Sequence, residues 1–157
     1  MRNSLLPRFL AMTALWLGLT IAPGANPCAQ EISIGGFVGE PSGVNLRYTS
    51  DDAAFMFTAG WSTRRDEGPD LSASILPFGF KPKLSQNISA VFDLGVGARV
   101  TFLEHTEFSI ILPAGLSLGF PHPSFRHQLF FNVGPSFALS PETTTSLYAF
   151  AGYRYRL

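Results

Sequence analysis

The sequence has little of what many folds use for stability or chemistry: one cysteine among 157 residues, and only 14% charged residues. A single cysteine cannot form a disulfide within the chain, and Cys28 lies in a segment that we expect to be removed on export. The 11 basic residues equal the 11 acidic ones in number. A nucleic-acid-binding surface needs a basic stripe, so nucleic acid is not an expected partner.

A long apolar run is also missing. The longest, residues 9–22, is shorter than the roughly 17–25 residues of a transmembrane helix. It follows two arginines and precedes prolines, glycine and the small residue Ala29, which is the layout of a secretory signal peptide. We predict a signal peptide over residues 1–29 and one domain over residues 30–157.

The mature segment contains short stretches in which apolar and polar residues alternate. A period of two indicates β-strands with two different faces, and turn residues separate the stretches. No helical period competes with this pattern. The regular spacing predicts an up-and-down meander of eight strands. Their expected spans are 31–38, 43–50, 53–63, 70–77, 88–102, 107–120, 126–139 and 145–157.

The two faces of these strands differ in chemistry. In the sixth, the even positions are apolar and the odd positions between them are mostly small or polar: Phe108, Ile110, Leu112, Ala114, Leu116, Leu118 and Phe120 against Ser109, Ile111, Pro113, Gly115, Ser117 and Gly119.

Alternation leaves two arrangements open. A soluble, lipocalin-like barrel would bury the apolar set inside. An outer-membrane barrel would turn that set toward lipid and fill its narrow lumen with small and polar side chains. The polar set is rich in Gly and Ser and poor in charge, which suits a lumen better than a surface in water. We therefore predict an all-β fold: a closed, antiparallel, eight-stranded transmembrane β-barrel.

Aromatic residues cluster at the strand ends, as expected for the girdles at the two membrane interfaces. With both termini on the periplasmic side, one girdle comprises Tyr48, Phe55, Phe120, Tyr153 and Tyr155. The outer girdle comprises Trp61, Phe102 and Phe108.

The last residues resemble the C-terminal assembly signal of bacterial outer-membrane barrels: Gly152, then Tyr155 and Leu157 at alternate positions. Residues 39–44 and 112–117 are similar to segments of an uncharacterised family of small, short-looped barrels. Residues 133–136 and the following residues 139–141 are similar to segments of the same family. The resemblance implies an OmpA/OmpX-like barrel in the bacterial outer membrane. It implies no catalytic residues.

Five charged residues take lumen-facing positions: Arg47, Asp93, Arg99, Arg154 and Arg156. A charge in a narrow, poorly hydrated lumen must be paired. Asp93 is expected to pair with Arg99 and with Arg47 or Arg154. The network is interpreted as a structural plug. A gated polar path for small ions is the alternative, although an open pore is not expected from eight strands.

Candidate chemistry elsewhere is sparse. His122 and Ser124 form a His-x-Ser pair of the kind that barrel-type lipid A deacylases use with a carboxylate. His105 and His127 lack metal-ligand spacing, and no cofactor or metal is expected. The charged loop Arg64–Pro69 is either a solvated turn or a contact for an external molecule.

These observations predict a small integral protein of the bacterial outer membrane with a structural or surface-interaction role and no enzymatic activity. Its expected partners are outer-membrane lipids and, through the C-terminal strand, the barrel-assembly machinery. An extracellular ligand is possible but not identified. A lipid A-modifying enzyme and an exported lipocalin-like carrier are the alternatives.

Overall fold

A computed structural model describes residues 30–61, 68–85, 88–102, 106–120 and 126–157. Within them the chain forms ten strand segments, and no helix is long and apolar enough to cross a membrane. The segments are β1 (Glu31–Glu40), β2 (Ser42–Thr49), β3 (Ala54–Trp61), β4 (Pro69–Phe80), β5 (Lys83–Ser85), β6 (Ile88–Thr101), β7 (Glu107–Ile111), β8 (Ala114–Gly119), β9 (His127–Ser140) and β10 (Thr145–Arg156).

The ten segments make eight barrel strands. β4 and β5 both pair with β6, and together they form one strand. β7 and β8 both lie between β6 and β9. They follow one register against β6, and one register against β9 from Ser109 onward, so they form another. All pairings are antiparallel, and β1 pairs with β10. The sheet is therefore closed, which confirms the predicted eight-stranded barrel.

The strand bounds agree with the predicted spans except in the fourth strand. Residues from Phe78 onward were expected to form a turn, but β4 continues to Phe80. Its register against β6 shifts between Ile75 and Phe78. This bulge is the reason that the alternation in the sequence breaks at Leu76 and Pro77, because an extra residue reverses the phase of the faces.

Two other prolines fall within predicted strands, where each removes a ladder hydrogen bond, and a bulge is expected at such positions. Neither shifts the register. Pro113 lies in the short break between β7 and β8, where its carbonyl accepts a hydrogen bond from Gly95 N at 3.0 Å. Pro135 lies within β9, and its carbonyl accepts a hydrogen bond from Leu112 N at 3.1 Å. The strands beside each proline thus keep their register without a bulge.

The apolar rows face outward. Val96, Leu112 and Phe131 are 45%, 43% and 44% exposed, whereas Asp93 and Arg154 are 3% and 0% exposed. A lipocalin-like barrel requires the reverse, because its apolar set must meet in a dry centre. The structure therefore excludes that alternative.

The lumen is less uniformly polar than the sequence predicted. Four aromatic side chains pack together inside it: Phe150 lies 4.5 Å from Phe37, 6.2 Å from Phe130 and 5.9 Å from Tyr148, measured between ring centroids. Met56 is also buried inside the barrel. We call Phe37, Phe130, Tyr148 and Phe150 the aromatic cluster. It fills the lumen with apolar side chains where the alternation indicated small and polar ones.

Candidate functional site

The charged side chains of the lumen form ion pairs at separate heights. For description, the near end of the barrel is the one that holds Glu31 and Arg156, and the far end holds Trp61 and Thr101. Strand register sets this order, because antiparallel pairing makes β1, β3 and β6 run from the near end to the far end, and β2 and β4 in the opposite direction.

The central pair joins Arg47 on β2 to Asp93 on β6. Arg47 Nη1 donates to Asp93 Oδ2 at 2.7 Å, and Nη2 donates to Oδ1 at 3.0 Å. This two-bond geometry is the strongest that a guanidinium and a carboxylate can adopt. Both side chains are buried, so water screens the pair little.

Arg154 lies near this pair without a carboxylate of its own. It is fully buried, and it donates to Ser117 Oγ at 2.7 Å and to Asn45 Oδ1 at 3.3 Å. Its guanidinium carbon lies 4.2 Å from the centre of the Phe130 ring, a cation–π contact. Among the described residues its Nε has no hydrogen-bond partner. Neutral dipoles and an aromatic face thus stabilise a charge that the sequence predicted to be paired.

The far-end pair corrects one sequence prediction. Arg99 was expected to pair with Asp93, but Arg99 Nη2 instead donates to Asp70 Oδ2 at 3.0 Å. Asp70 is only 2% exposed. We missed it because it stands at the predicted start of its strand, where an acid is usually solvated. Its phase matches that of Ser72 and Ser74, which indicates an inward position.

At the near end, Arg156 Nε lies 2.6 Å from Glu31 Oε1, and both side chains are partly exposed. Gln128 Nε2 donates to the same Glu31 oxygen at 3.2 Å. Neither Glu31 nor Gln128 was singled out from the sequence. The pair links a side chain of β1 to one of β10, the two strands whose backbone pairing closes the sheet.

A small cavity lies between the far-end pair and the aromatic cluster. Its volume is about 10 Å³, close to that of one water molecule, and its walls include Arg99, Asp70, Thr58 and Tyr148. The Tyr148 hydroxyl is buried without a hydrogen-bond partner in the described part of the chain. The cavity is too small to pass a hydrated ion.

The predicted girdle residues occupy the two ends of the outer surface. Tyr48 pairs with Phe55 in the register of β2 and β3, and their rings lie 6.2 Å apart. The exposed fractions of the other six are: Trp61 56%, Phe102 39%, Phe108 51%, Phe120 42%, Tyr153 45% and Tyr155 41%.

The predicted C-terminal signal lies on the strand that closes the barrel. Gly152 faces the lumen, and a Cβ atom there would lie 2.7 Å from Phe130 Cζ. Tyr155 and Leu157 face outward and are exposed. Leu157 N donates to Ile32 O at 2.9 Å, which extends the pairing with β1 to the last residue.

Several sequence predictions lie outside the described residues. They are the signal peptide over residues 1–29, residues 64–67 of the charged loop, His105, and the His122–Ser124 pair. Within the described part of the chain, no group of three or more His, Cys, Asp or Glu residues could hold a metal ion.

No protein-family model matches the chain, and no curated protein matches it. Among solved structures, the crystal structure of Neisserial surface protein A (NspA) is similar, with a TM-score of 0.48 and 12% sequence identity. The match covers 82% of this chain and 95% of that one. A similarity this distant assigns no role to any residue.

Proposed function

We propose that this chain is a small integral β-barrel of the bacterial outer membrane with a structural or surface-interaction role. The proposal depends on which side chains are buried: apolar side chains lie on the outside of the barrel and charged ones inside it, the reverse of a soluble protein. Among the described residues, 28 large apolar side chains are exposed on the outer surface, while Arg47, Asp93 and Arg154 are buried in the lumen. A soluble protein rarely exposes a contiguous apolar patch of this extent.

Backbone pairing supports the same environment. In lipid every backbone N–H and C=O group needs a partner, and a closed sheet provides one without free edges. Spans such as β10, with 12 residues, and β6, with 14, suit tilted transmembrane strands. The predicted signal peptide adds an export route, and together these features favour the outer membrane over the cytoplasmic one.

The proposed lumen is closed. In the described part of the barrel, three ion pairs and the aromatic cluster occupy successive heights, and each would have to move before an ion could pass. Planar-bilayer recordings of the purified barrel are expected to show no discrete conductance steps. Regular conductance steps would contradict a closed lumen and would favour the alternative, a gated polar path for small ions along the charged side chains.

Recognition by the barrel-assembly machinery is proposed through β10. Its outward row ends in Tyr153, Tyr155 and Leu157, and the strand is paired on both sides in the folded barrel. Before closure, its edge toward β1 would be free to pair with the machinery. Catalytic activity is not part of the proposal.

The membrane assignment is tested with the full chain, signal peptide included, expressed in a Gram-negative host. The protein is expected in the outer-membrane fraction after an alkaline carbonate wash, and its migration on a denaturing gel should shift when the sample is boiled. A periplasmic marker protein in the same cells serves as the control and should wash away. Recovery of the folded chain in the soluble periplasmic fraction, without detergent, would contradict the proposal.

A further inference from the structure

The cavity between the far-end ion pair and the aromatic cluster has a size that restricts what it can hold. Its volume is about 10 Å³, and its polar walls include Thr58, Ser72, Arg99 and Tyr148. We call it the far-end cavity. About that volume is the least that a protein cavity needs to hold one water molecule, and a phosphate or an organic molecule is several times larger. The far-end cavity therefore has room for one water-sized molecule or ion only.

Two residues of its walls carry a hydrogen-bonding atom that lacks a partner within the described part of the chain. The atoms are the Tyr148 hydroxyl and Arg99 Nε, and both are buried. Tyr148 as a whole is only 5% exposed, so bulk water does not reach its hydroxyl. A buried polar atom without a partner costs free energy, and nearly all such atoms in proteins are paired with protein groups or with ordered water. A ligand in the far-end cavity would provide the missing partner.

The surrounding strands hold both groups inside the lumen. Arg99 Nη2 donates to Asp70 Oδ2 at 3.0 Å, and the pair is largely buried, so the guanidinium cannot turn its Nε toward solvent. Tyr148 stands opposite Gly134 in the register of β9 and β10. A Cβ atom at Gly134 would lie 3.0 Å from the Tyr148 hydroxyl. Glycine at this position therefore leaves the room that the hydroxyl needs.

Charge and hydrogen-bonding capacity decide which small ligand fits. Arg99 and Asp70 both line the cavity, so Asp70 would repel an anion and Arg99 would repel a cation. Thr58 Oγ1 and Ser72 Oγ lie 2.6 Å apart and share one hydrogen. Hydroxyl groups both donate and accept, whereas a guanidinium only donates. The walls therefore require a neutral molecule that accepts one hydrogen bond and donates others, and water does both.

We propose that the far-end cavity binds one water molecule, which accepts a hydrogen bond from Arg99 Nε and bonds to the Tyr148 hydroxyl and to the Thr58–Ser72 hydroxyl pair. About three polar partners are typical of a buried water. The site rests on the closed lumen proposed above and deepens it. The bound water links the Arg99–Asp70 ion pair to the aromatic cluster, so that these two layers form one hydrogen-bonded plug.

The first test is a crystal structure of the detergent-purified barrel, with the crystals soaked in bromide. An electron-density peak is expected in the far-end cavity within about 3.2 Å of Arg99 Nε and Tyr148 Oη, the limit of a good hydrogen bond. The peak should carry no anomalous signal from bromide. An anomalous signal at this position would identify an anion site and overturn the proposal. A cavity without any density would overturn it as well.

Oxygen-17 relaxation dispersion of water tests the same site in solution, because it detects water molecules that stay bound inside the protein. Tyr148→Phe removes one partner and should shorten the residence time of this water by about fivefold, the factor for one neutral hydrogen bond. Thr58→Val removes another partner at a similar side-chain shape and should act in the same direction. Tyr48→Phe makes the matched change on the outer surface and should have no effect. Unchanged dispersion in both lumen variants, or an equal change in the control, would contradict the water site.

The gel shift and the conductance separate this proposal from the preceding one. Variants that keep the gel shift on boiling are folded barrels. Should Tyr148→Phe lose the shift, Thr58→Val carries the solution test, and the crystal of the unchanged protein needs neither variant. A dry cavity in a barrel without conductance steps would reject the water site alone. Conductance steps from a barrel whose crystals show the bound water would instead reject the closed lumen.

Discussion

At the scale of single residues, the sequence predicts which charged side chains face the lumen better than it predicts the partners that they meet there. The alternation gives the direction of each side chain, and this placed Arg47 and Asp93 inside, where they meet. It does not give the stagger between strands, which decides the heights at which inward residues come together. Arg99 meets Asp70 and not Asp93 for that reason.

The Asp93 carboxylate compensates more positive charge than that of Arg47 alone. It accepts two hydrogen bonds from Arg47, and Arg154 lies nearby with only neutral partners in the described residues. We expect Asp93→Ala to lower the free energy of unfolding by about 3–5 kcal/mol, because it leaves buried guanidinium groups uncompensated. The measurement is urea unfolding in lipid vesicles, followed by the fluorescence of Trp61.

The control for this change is Asp51→Ala. Asp51 is an exposed acid in the turn between β2 and β3, and its loss should change stability by no more than about 0.5 kcal/mol. Equal unfolding midpoints for the two variants would show that the Arg47–Asp93 pair does not stabilise the fold.

At the scale of strands, the sequence predicted nearly every element because the barrel repeats one pattern with short turns. The exception is β4, where the bulge reverses the phase after Ile75. Alternation with a period of two fails beyond a bulge, since one extra residue assigns every following side chain to the opposite face of the strand. Phe78 and Phe80 were therefore assigned to a turn, although both lie on a strand and are exposed.

The seam between β1 and β10 depends on the absence of a side chain at Gly152. A Cβ atom there would lie 2.7 Å from Phe130 Cζ and would press on the carbonyl oxygen of Gly36. We expect Gly152→Ala to destabilise the barrel by about 1–3 kcal/mol through overpacking. The same unfolding measurement in vesicles checks this value.

Gly36→Ala is the matched control on the other strand of the seam. Its Cβ would face outward, with Gly43 O at 3.7 Å as its neighbour, an ordinary contact. This variant should be neutral or slightly stabilised, because alanine restricts the unfolded chain. Equal destabilisation by both changes would mean that the seam is intolerant of alanine in general, and Phe130 would not be the cause.

At the scale of the whole molecule, the distribution of polarity decides the environment. Alternation showed that the faces differ, but it could not show which face was inside. The burial of the side chains resolved that question, since Val96, Leu112 and Phe131 are exposed whereas Asp93 and Arg154 are buried. The alternation places Phe130, Tyr148 and Phe150 on inward rows, but it does not give the heights at which they meet one another and Phe37.

The outward orientation predicts a depth-dependent penalty for charge. Leu116 lies between Phe92 and Phe131 near mid-height, and Leu116→Arg should cost about 2–4 kcal/mol in a lipid bilayer. Leu147→Arg, close to the far end, should cost about 0–1 kcal/mol. Equilibrium unfolding in vesicles measures both. Equal costs at the two positions would contradict a membrane between the two aromatic girdles.

Methyl NMR of the barrel in deuterated-headgroup detergent tests the orientation most directly. Methyl groups of Val96, Leu112 and Leu129 should show nuclear Overhauser contacts to the detergent acyl chains. Those of Met56, Leu76 and Ile111, which are 2%, 2% and 3% exposed, should show none. Contacts from the second set and not the first would mean that the apolar rows enclose the ligand space of a soluble carrier.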